Sequence, residues 1–142
     1  MIATSLDQGR YELKGVIGRG GMALVHLGHD NELDTPVAIK ILADNLAADP
    51  ELRRRFAREA LLAERLDHPN VVRVLAHGET EDRPYIVLEH VDGTSLAEEL
   101  ARAGRLAPDR VAELGAQAAA GRSRGSTSRT PRPRASQQEP RP

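Results

Sequence analysis

A group of glycines and one lysine are the residues in this sequence best suited to holding phosphate. The glycines are Gly18, Gly20 and Gly21, and Lys40 is one of two lysines in a chain with eighteen arginines. Glycines let backbone N–H groups approach phosphate oxygens because no Cβ stands in the way. A lysine ammonium supplies a compact point charge, which the planar guanidinium of arginine does not. The combination therefore indicates a nucleotide site.

The residues after the glycines exclude two other kinds of nucleotide loop. A dinucleotide-binding fingerprint requires glycines that open a helix, whereas Val25 and Leu27 continue in the alternation of a strand. A Walker loop requires Gly-Lys-Ser/Thr, which is absent. Taken alone, Gly18 and Gly20 are also compatible with an ordinary tight hairpin.

Lys40 is predicted to lie on a covered face of a strand, where an ammonium needs an anion. The strand alternation places Val37, Ile39 and Ile41 on one face and Ala38, Lys40 and Leu42 on the other. A predicted buried helical stripe is formed by Leu52, Phe56, Glu59, Ala63 and Leu66. Because Glu59 lies at the centre of this stripe, a buried Lys40–Glu59 ion pair is favoured. The alternative is that Glu59 pairs with exposed Arg55 or Arg58.

The elements that position these residues follow from hydrophobic periodicity and from helix-start signals. Strands are predicted over 11–17, 23–29, 36–42, 71–76 and 85–89. Asp49 and Pro50 begin a helix that is predicted to end near Leu66. Thr94 is predicted to cap a short helix through Leu100, and Pro108 to start another that ends near Gly121. The fold class is therefore α+β.

Size and composition favour a protein of the cytoplasm. The chain has 142 residues, which suits one domain or one lobe of a larger domain. It has no cysteine, which excludes disulfides and thiolate metal sites. It also shows no apolar run that could span a membrane and no signal peptide over residues 1–10.

In order and spacing, the sequence resembles the small lobe of protein kinases. The resemblance is carried by the glycine-rich segment, by Val37-Ala38-Ile39-Lys40, by Glu59, and by residues 68–72. Residues 17–23 and 85–96 are similar to bacterial serine/threonine kinases in particular. The resemblance covers about residues 11–120. It implies a kinase-like small lobe over 11–91, with a five-stranded antiparallel sheet and one long helix. A terminal extension over 1–10 would precede it, and the hinge exit with the first helices of an incomplete large lobe would follow over 92–121.

The resemblance also implies which residues bind ATP. Glycine-loop residues would cover the phosphates, Val25 and Ala38 would enclose the adenine, and Lys40 would hold the α- and β-phosphates. Leu88 would lie behind the adenine, and the backbones of Glu89 and Val91 would bond its edge. The full set comprises Ile17, Gly18, Gly20, Gly21, Met22, Ala23, Val25, Ala38, Lys40, Leu88, Glu89 and Val91. Ala23 replaces a glycine found in many kinases, and His26 replaces the usual tyrosine.

The catalytic parts of a kinase are missing from the sequence. His-Arg-Asp, its downstream Asn and the Asp-Phe-Gly of the magnesium site are absent, since the last Asp is Asp109 and the sole Phe is Phe56. The expectation is an ATP-binding portion of a serine/threonine kinase that is inactive alone. Mg²⁺ ligands and protein-substrate recognition would belong to a complete version. A non-catalytic interaction module and a defective product are the alternatives.

Residues 122–142 form a basic tail with six arginines and one glutamate. Apolar residues almost vanish there, so disorder is predicted. An abrupt change to Arg, Ser and Pro is also what GC-rich DNA yields when translated out of frame, which leads to the hypothesis of a frameshifted or truncated gene product. A basic arm that binds nucleic acid or membrane is the less favoured interpretation, because the tail lacks aromatic and large apolar residues.

Overall fold

The computed structural model describes residues 4–81 and 83–125, which form one antiparallel sheet and four helices. The strands are β1 (Ser5–Leu6), β2 (Tyr11–Arg19), β3 (Ala23–Asp30), β4 (Thr35–Leu42), β5 (Val74–Thr80) and β6 (Arg83–Glu89). Their order in the sheet is β1-β2-β3-β4-β6-β5. The helices are α1 (Asp44–Ala47), α2 (Pro50–Ala63), α3 (Leu96–Ala103) and α4 (Pro108–Gly125), and a 3-10 turn spans Asp7–Gly9. None of the helices within these ranges is long and apolar enough to cross a bilayer.

The sheet has one strand more than the five that the sequence predicted. Residues Ser5 and Leu6 pair with Glu12 and Tyr11, and the Leu6 side chain is buried in the core. Burial of this single leucine explains why a segment expected to be a mere extension joins the sheet.

Other predicted boundaries also differ from the structure. Residues 71–73 are not part of β5, because the Val71 N–H closes a turn onto the His68 carbonyl. Helix α2 ends at Ala63 rather than near Leu66. Helix α3 is capped by Ser95 rather than Thr94, since Ser95 and Glu98 form a capping box.

Helix α4 also runs beyond its predicted end near Gly121, to Gly125. The remainder of the predicted disordered tail, 126–142, lies outside the described residues.

Strand β4 is central to the packing because its two faces contribute to different clusters. The first cluster contains Leu6, Tyr11, Val37, Ile39, Ile41, Tyr85 and Val87. The second contains Ala23, Leu42, Phe56, Ala60 and Ile86. Since Phe56 and Ala60 come from α2, this helix covers the face of the sheet that carries Lys40. The predicted division of β4 into two faces is confirmed.

Helix α2 is fixed at its start by its own cap. Asp49 accepts hydrogen bonds from the N–H groups of Glu51 and Leu52 at 2.8 and 3.3 Å, and Pro50 occupies the first turn as predicted. Arg53 forms an ion pair with Glu79 of β5. These contacts orient α2 across the sheet.

Replacing Gly28 by alanine tests the packing between β2, β3 and β4. A Cβ at this position would lie 2.5 Å from Ile39 Cδ1 and 3.0 Å from the carbonyl oxygen of Glu12. Backbone cannot move aside as a side chain can, so we expect Gly28→Ala to lower the free energy of unfolding by about 1–3 kcal/mol. Urea denaturation measures this change.

The control is Gly15→Ala on β2, where a Cβ would meet nothing within 4 Å. We expect this variant to be as stable as the parent or slightly more stable, because alanine restricts the unfolded chain. Equal losses in both variants would contradict the packing described for Gly28.

Candidate nucleotide-binding site

The strand register brings the residues predicted to hold a nucleotide onto one face of the sheet. Val25 lies opposite Lys40, and Leu27 lies opposite Ala38. Ala38 in turn lies opposite Leu88 of β6. Side chains of directly opposed residues project from the same face. Val25, Ala38, Leu88 and Lys40 therefore share the face that α2 partly covers.

Lys40 and Glu59 form an ion pair between this face and α2. The distance from Lys40 Nζ to Glu59 Oε1 is 2.7 Å. The same Nζ lies 5.3 Å from the centroid of the Phe56 ring, within the range of a cation–π contact. The geometry thus agrees with the predicted pair and not with an Arg55 or Arg58 partner for Glu59.

The prediction that this ion pair is buried is wrong. The Lys40 side chain is 26% exposed and the Glu59 side chain 50% exposed. The reason is the rotation of α2, which buries Ala60 together with Phe56 and leaves Glu59 at the edge of the buried stripe. Water can therefore reach the pair, which makes the ammonium accessible to an anionic ligand.

The glycine-rich segment is a β-hairpin with a firm base and an open tip. The Gly20 N–H donates to the Ala23 carbonyl at 2.9 Å, and the Ala43 N–H donates to the Met22 carbonyl at 3.0 Å. Ala23 is buried in the second cluster, and Met22 packs against it. By contrast, a Cβ placed on Gly21 would meet nothing within 4 Å. The tip can therefore approach a ligand while its base is held by the core.

The backbone at the end of β6 and directly after it is only partly available for a ligand. The Glu89 N–H donates to the Arg73 carbonyl at 3.0 Å, and the Arg73 N–H donates to Glu89 Oε1 at 2.9 Å. A contact from Glu89 to an adenine edge would consequently use its carbonyl oxygen. Val91 follows the strand and is exposed, so its backbone can meet a ligand.

Sequence reasoning missed the contacts that join α4 to the rest of the chain. Asn70 Nδ2 donates to the Gln117 carbonyl at 3.0 Å, and a Cβ on Gly121 would lie 3.1 Å from Val71 Cγ2. The turn signal at residues 68–70 marks where the loop is, but it carries no information about the distant helix. The position of Phe56 beneath the Lys40 ammonium was missed in the same way.

The residues present suit a nucleotide better than they suit a resident metal. The accessible ammonium and the open glycine tip match phosphate. The apolar face with Val25 and Ala38 matches a flat base. Within residues 4–81 and 83–125, no group of three His, Cys, Asp or Glu side chains could hold a metal ion.

Comparison with known proteins agrees with this geometry. Residues 11–122 match the protein kinase domain family. This chain belongs to the protein kinase family. The serine/threonine-protein kinase PrkC of Bacillus subtilis is 51% identical over 100 residues, which are 70% of this chain and 15% of PrkC. The serine/threonine-protein kinase PknB of Mycolicibacterium smegmatis is 45% identical over 113 residues, which are 77% of this chain and 18% of PknB.

Solved structures of kinases share the fold. The kinase domain of Mycobacterium tuberculosis PknI has a TM-score of 0.70 and 29% identity, over 85% of this chain and 50% of PknI's domain. Rad53 in complex with AMP-PNP has a TM-score of 0.69 and 23% identity, over 82% of this chain and 30% of Rad53, which shows the fold alone. The predicted small-lobe fold and the resemblance to bacterial serine/threonine kinases are confirmed. The chain spans less than a fifth of the length of PrkC and PknB.

A double-mutant cycle on Lys40→Met and Glu59→Gln tests how exposed the ion pair is. Because both side chains contact water, we expect a coupling free energy of about 0.5 kcal/mol between them. It is obtained from the unfolding free energies of the parent, the two single variants and the double variant. A coupling above about 3 kcal/mol would instead indicate a desolvated pair and contradict the exposure described here.

Proposed function

We propose that this chain is the ATP-binding portion of a serine/threonine protein kinase. The observation that carries the proposal is the Lys40–Glu59 contact of 2.7 Å, on the same sheet face as Val25 and Ala38 and beside an open glycine hairpin. Phosphate and base can each find their matching surface there. Membership of the protein kinase family supports the choice of an adenine nucleotide.

Each residue of the site has a proposed role. Gly18, Gly20, Gly21 and the neighbouring Ile17, Met22 and Ala23 cover the phosphates, with backbone N–H groups as donors. Lys40 neutralises the α- and β-phosphates, and Glu59 orients its ammonium. Val25, Ala38 and Leu88 surround the adenine, whose edge meets the Glu89 carbonyl and the Val91 backbone.

Phosphoryl transfer by the 142-residue chain is not part of the proposal. Transfer to a Ser or Thr hydroxyl requires a base that accepts the hydroxyl proton and carboxylate and amide groups that hold Mg²⁺. No Asn follows Asn70 and no Asp follows Asp109 in this sequence. Activity, magnesium use and protein substrates would be those of a complete kinase in the family. A cytoplasmic location and the domain boundaries at residues 10, 91 and 121 stay predictions.

A non-catalytic interaction module is the second candidate. Four apolar side chains near the hinge and on α3 and α4 are each at least 46% exposed, namely Val91, Leu96, Leu100 and Val111. A surface of this kind can bind another protein. Under this alternative, the chain would bind an intact kinase, and nucleotide would not affect that binding. The same surface suits a defective product, which would unfold without a cooperative transition.

Thermal unfolding with ATP and Mg²⁺ tests nucleotide binding. A ligand at 100 times its dissociation constant stabilises the folded form by about 2.7 kcal/mol, so we expect a rise in melting temperature. Lys40→Met should abolish the rise, whereas Lys14→Met should keep it. Lys14 is the matched control because it is the only other lysine in the chain and is exposed on β2. The same rise in both variants would refute the assigned role of Lys40.

Transfer of labelled phosphate from ATP to a generic protein substrate tests the absence of catalysis. We expect no turnover from the purified chain, because the proton-accepting and metal-holding groups are missing. Turnover that persists after contaminating kinases have been removed would contradict this expectation.

A further inference from the structure

His26 is a buried histidine whose ring has no hydrogen-bond partner. Its side chain lies in β3 with only 5% of the residue exposed. Within residues 4–81 and 83–125, neither Nδ1 nor Nε2 of this ring bonds to another group. A buried polar atom without a partner is costly in free energy. The ring is therefore a weak point in the packing that the nucleotide site does not explain.

His26 is paired with the strand that leads into the glycine-rich hairpin. It lies opposite Val16 of β2 and opposite Ile39 of β4. The β2–β3 register shifts on both sides of Val16, between Leu13 and Val16 and again before Gly18. Val16 itself is 41% exposed. The strand that leads into the glycines is thus irregular at the residue that is paired with His26.

Among the residues that the structure describes, the charged groups that act on the ring are two cations. Arg19 of β2 and Arg83 of β6 disfavour the imidazolium, and burial disfavours it more strongly, so the pKa of His26 is lowered from its ordinary value.

The carboxylates that lie beside Arg83 and farther along β3 are committed to other groups. Asp44 and Glu81 bind Arg83, and Asp30, on the same strand, accepts from Arg10. Ile39, the partner on β4, carries no charge. Among the described residues, none of these three carboxylates is left to act as a counter-ion to a proton on His26.

We propose that His26 is an acid-sensitive switch that releases the β2–β3 hairpin, and with it the glycine-rich tip, in mildly acidic solution. The neutral ring is tolerated in the paired sheet, whereas the imidazolium is stable only when β2 separates from β3 and water reaches the ring. Because the paired β2–β3 hairpin disfavours a proton on His26, the free energy of opening the hairpin has its full value above the ordinary histidine pKa, about 6.5. This free energy decreases as the pH falls below that value. The consequence for nucleotide affinity rests on the proposed ATP site.

Hydrogen–deuterium exchange of the β2 and β3 amides tests the switch directly. Rates would be measured at about pH 7.5 and about pH 5.5 and corrected for the intrinsic rate, which gives the population of the open form. If only the open form takes up the proton, this population rises about tenfold between the two pH values. In His26→Phe, which has no titrating group there, it should change by less than about twofold.

The control variant is His29→Gln, three positions along the same strand. His29 bonds to Asp34 at 3.1 Å, so removal of this ring should leave the acid response intact.

An equal response in the parent and in His26→Phe would overturn the proposal, and so would no response in the parent. If His26→Phe does not fold, His26→Leu and an NMR titration of the parent ring replace it. A ring that titrates at or above the ordinary pKa would also overturn the proposal.

Binding of a fluorescent ATP analogue at the same two pH values extends the test to the site. We expect its dissociation constant to rise more in the parent and in His29→Gln than in His26→Phe, since titration of the nucleotide itself is common to all three. Equal rises would overturn the coupling to the site. Failure to bind at any pH would refute the proposed ATP site, while the exchange data would still decide on the switch.

Discussion

The ion pair between Lys40 and Glu59 depends on how β4 divides the core. Val37, Ile39 and Ile41 are fully buried on one face of this strand, which fixes its orientation and directs Lys40 toward α2. The helix in turn buries Phe56 and Ala60 against the same face. A shift of either element by one residue would separate the two charges, since neighbouring strand residues point to opposite faces. The charged contact is thus a consequence of apolar packing rather than its cause.

The same packing gives the glycine hairpin a firmly held base and an open tip. Its base is held because Ala23 lies in the second cluster and because the Met22 carbonyl accepts from Ala43. Its tip is open because a Cβ on Gly21 would meet nothing within 4 Å. A ligand that binds beneath the tip would gain donors without having to reorganise the core. His26 follows this base on β3 and is paired with Val16 of β2, so the proposed change in its charge would act on the strands that carry the tip.

Sequence patterns were sufficient for the strands that build the site and for the partnership of Lys40 with Glu59. They were not sufficient for the burial of that pair, because Glu59 and Ala60 are neighbours on α2 and a small rotation decides which of them faces the core. The β1 strand was missed because a two-residue element has no periodicity to detect. The link between Asn70 and Gln117 was missed because nothing local records a contact between residues so far apart in the chain.

Chemical-shift mapping with a non-hydrolysable ATP analogue is the most direct test of the nucleotide site. We expect the largest amide shifts in three places: the glycine hairpin at 17–23, residues 38–40 of β4, and residues 88–91 at the end of β6 and directly after it. Shifts confined to the outer side of α2 and to β5, or none at a saturating concentration of the analogue, would contradict the assignment of this sheet face to ATP.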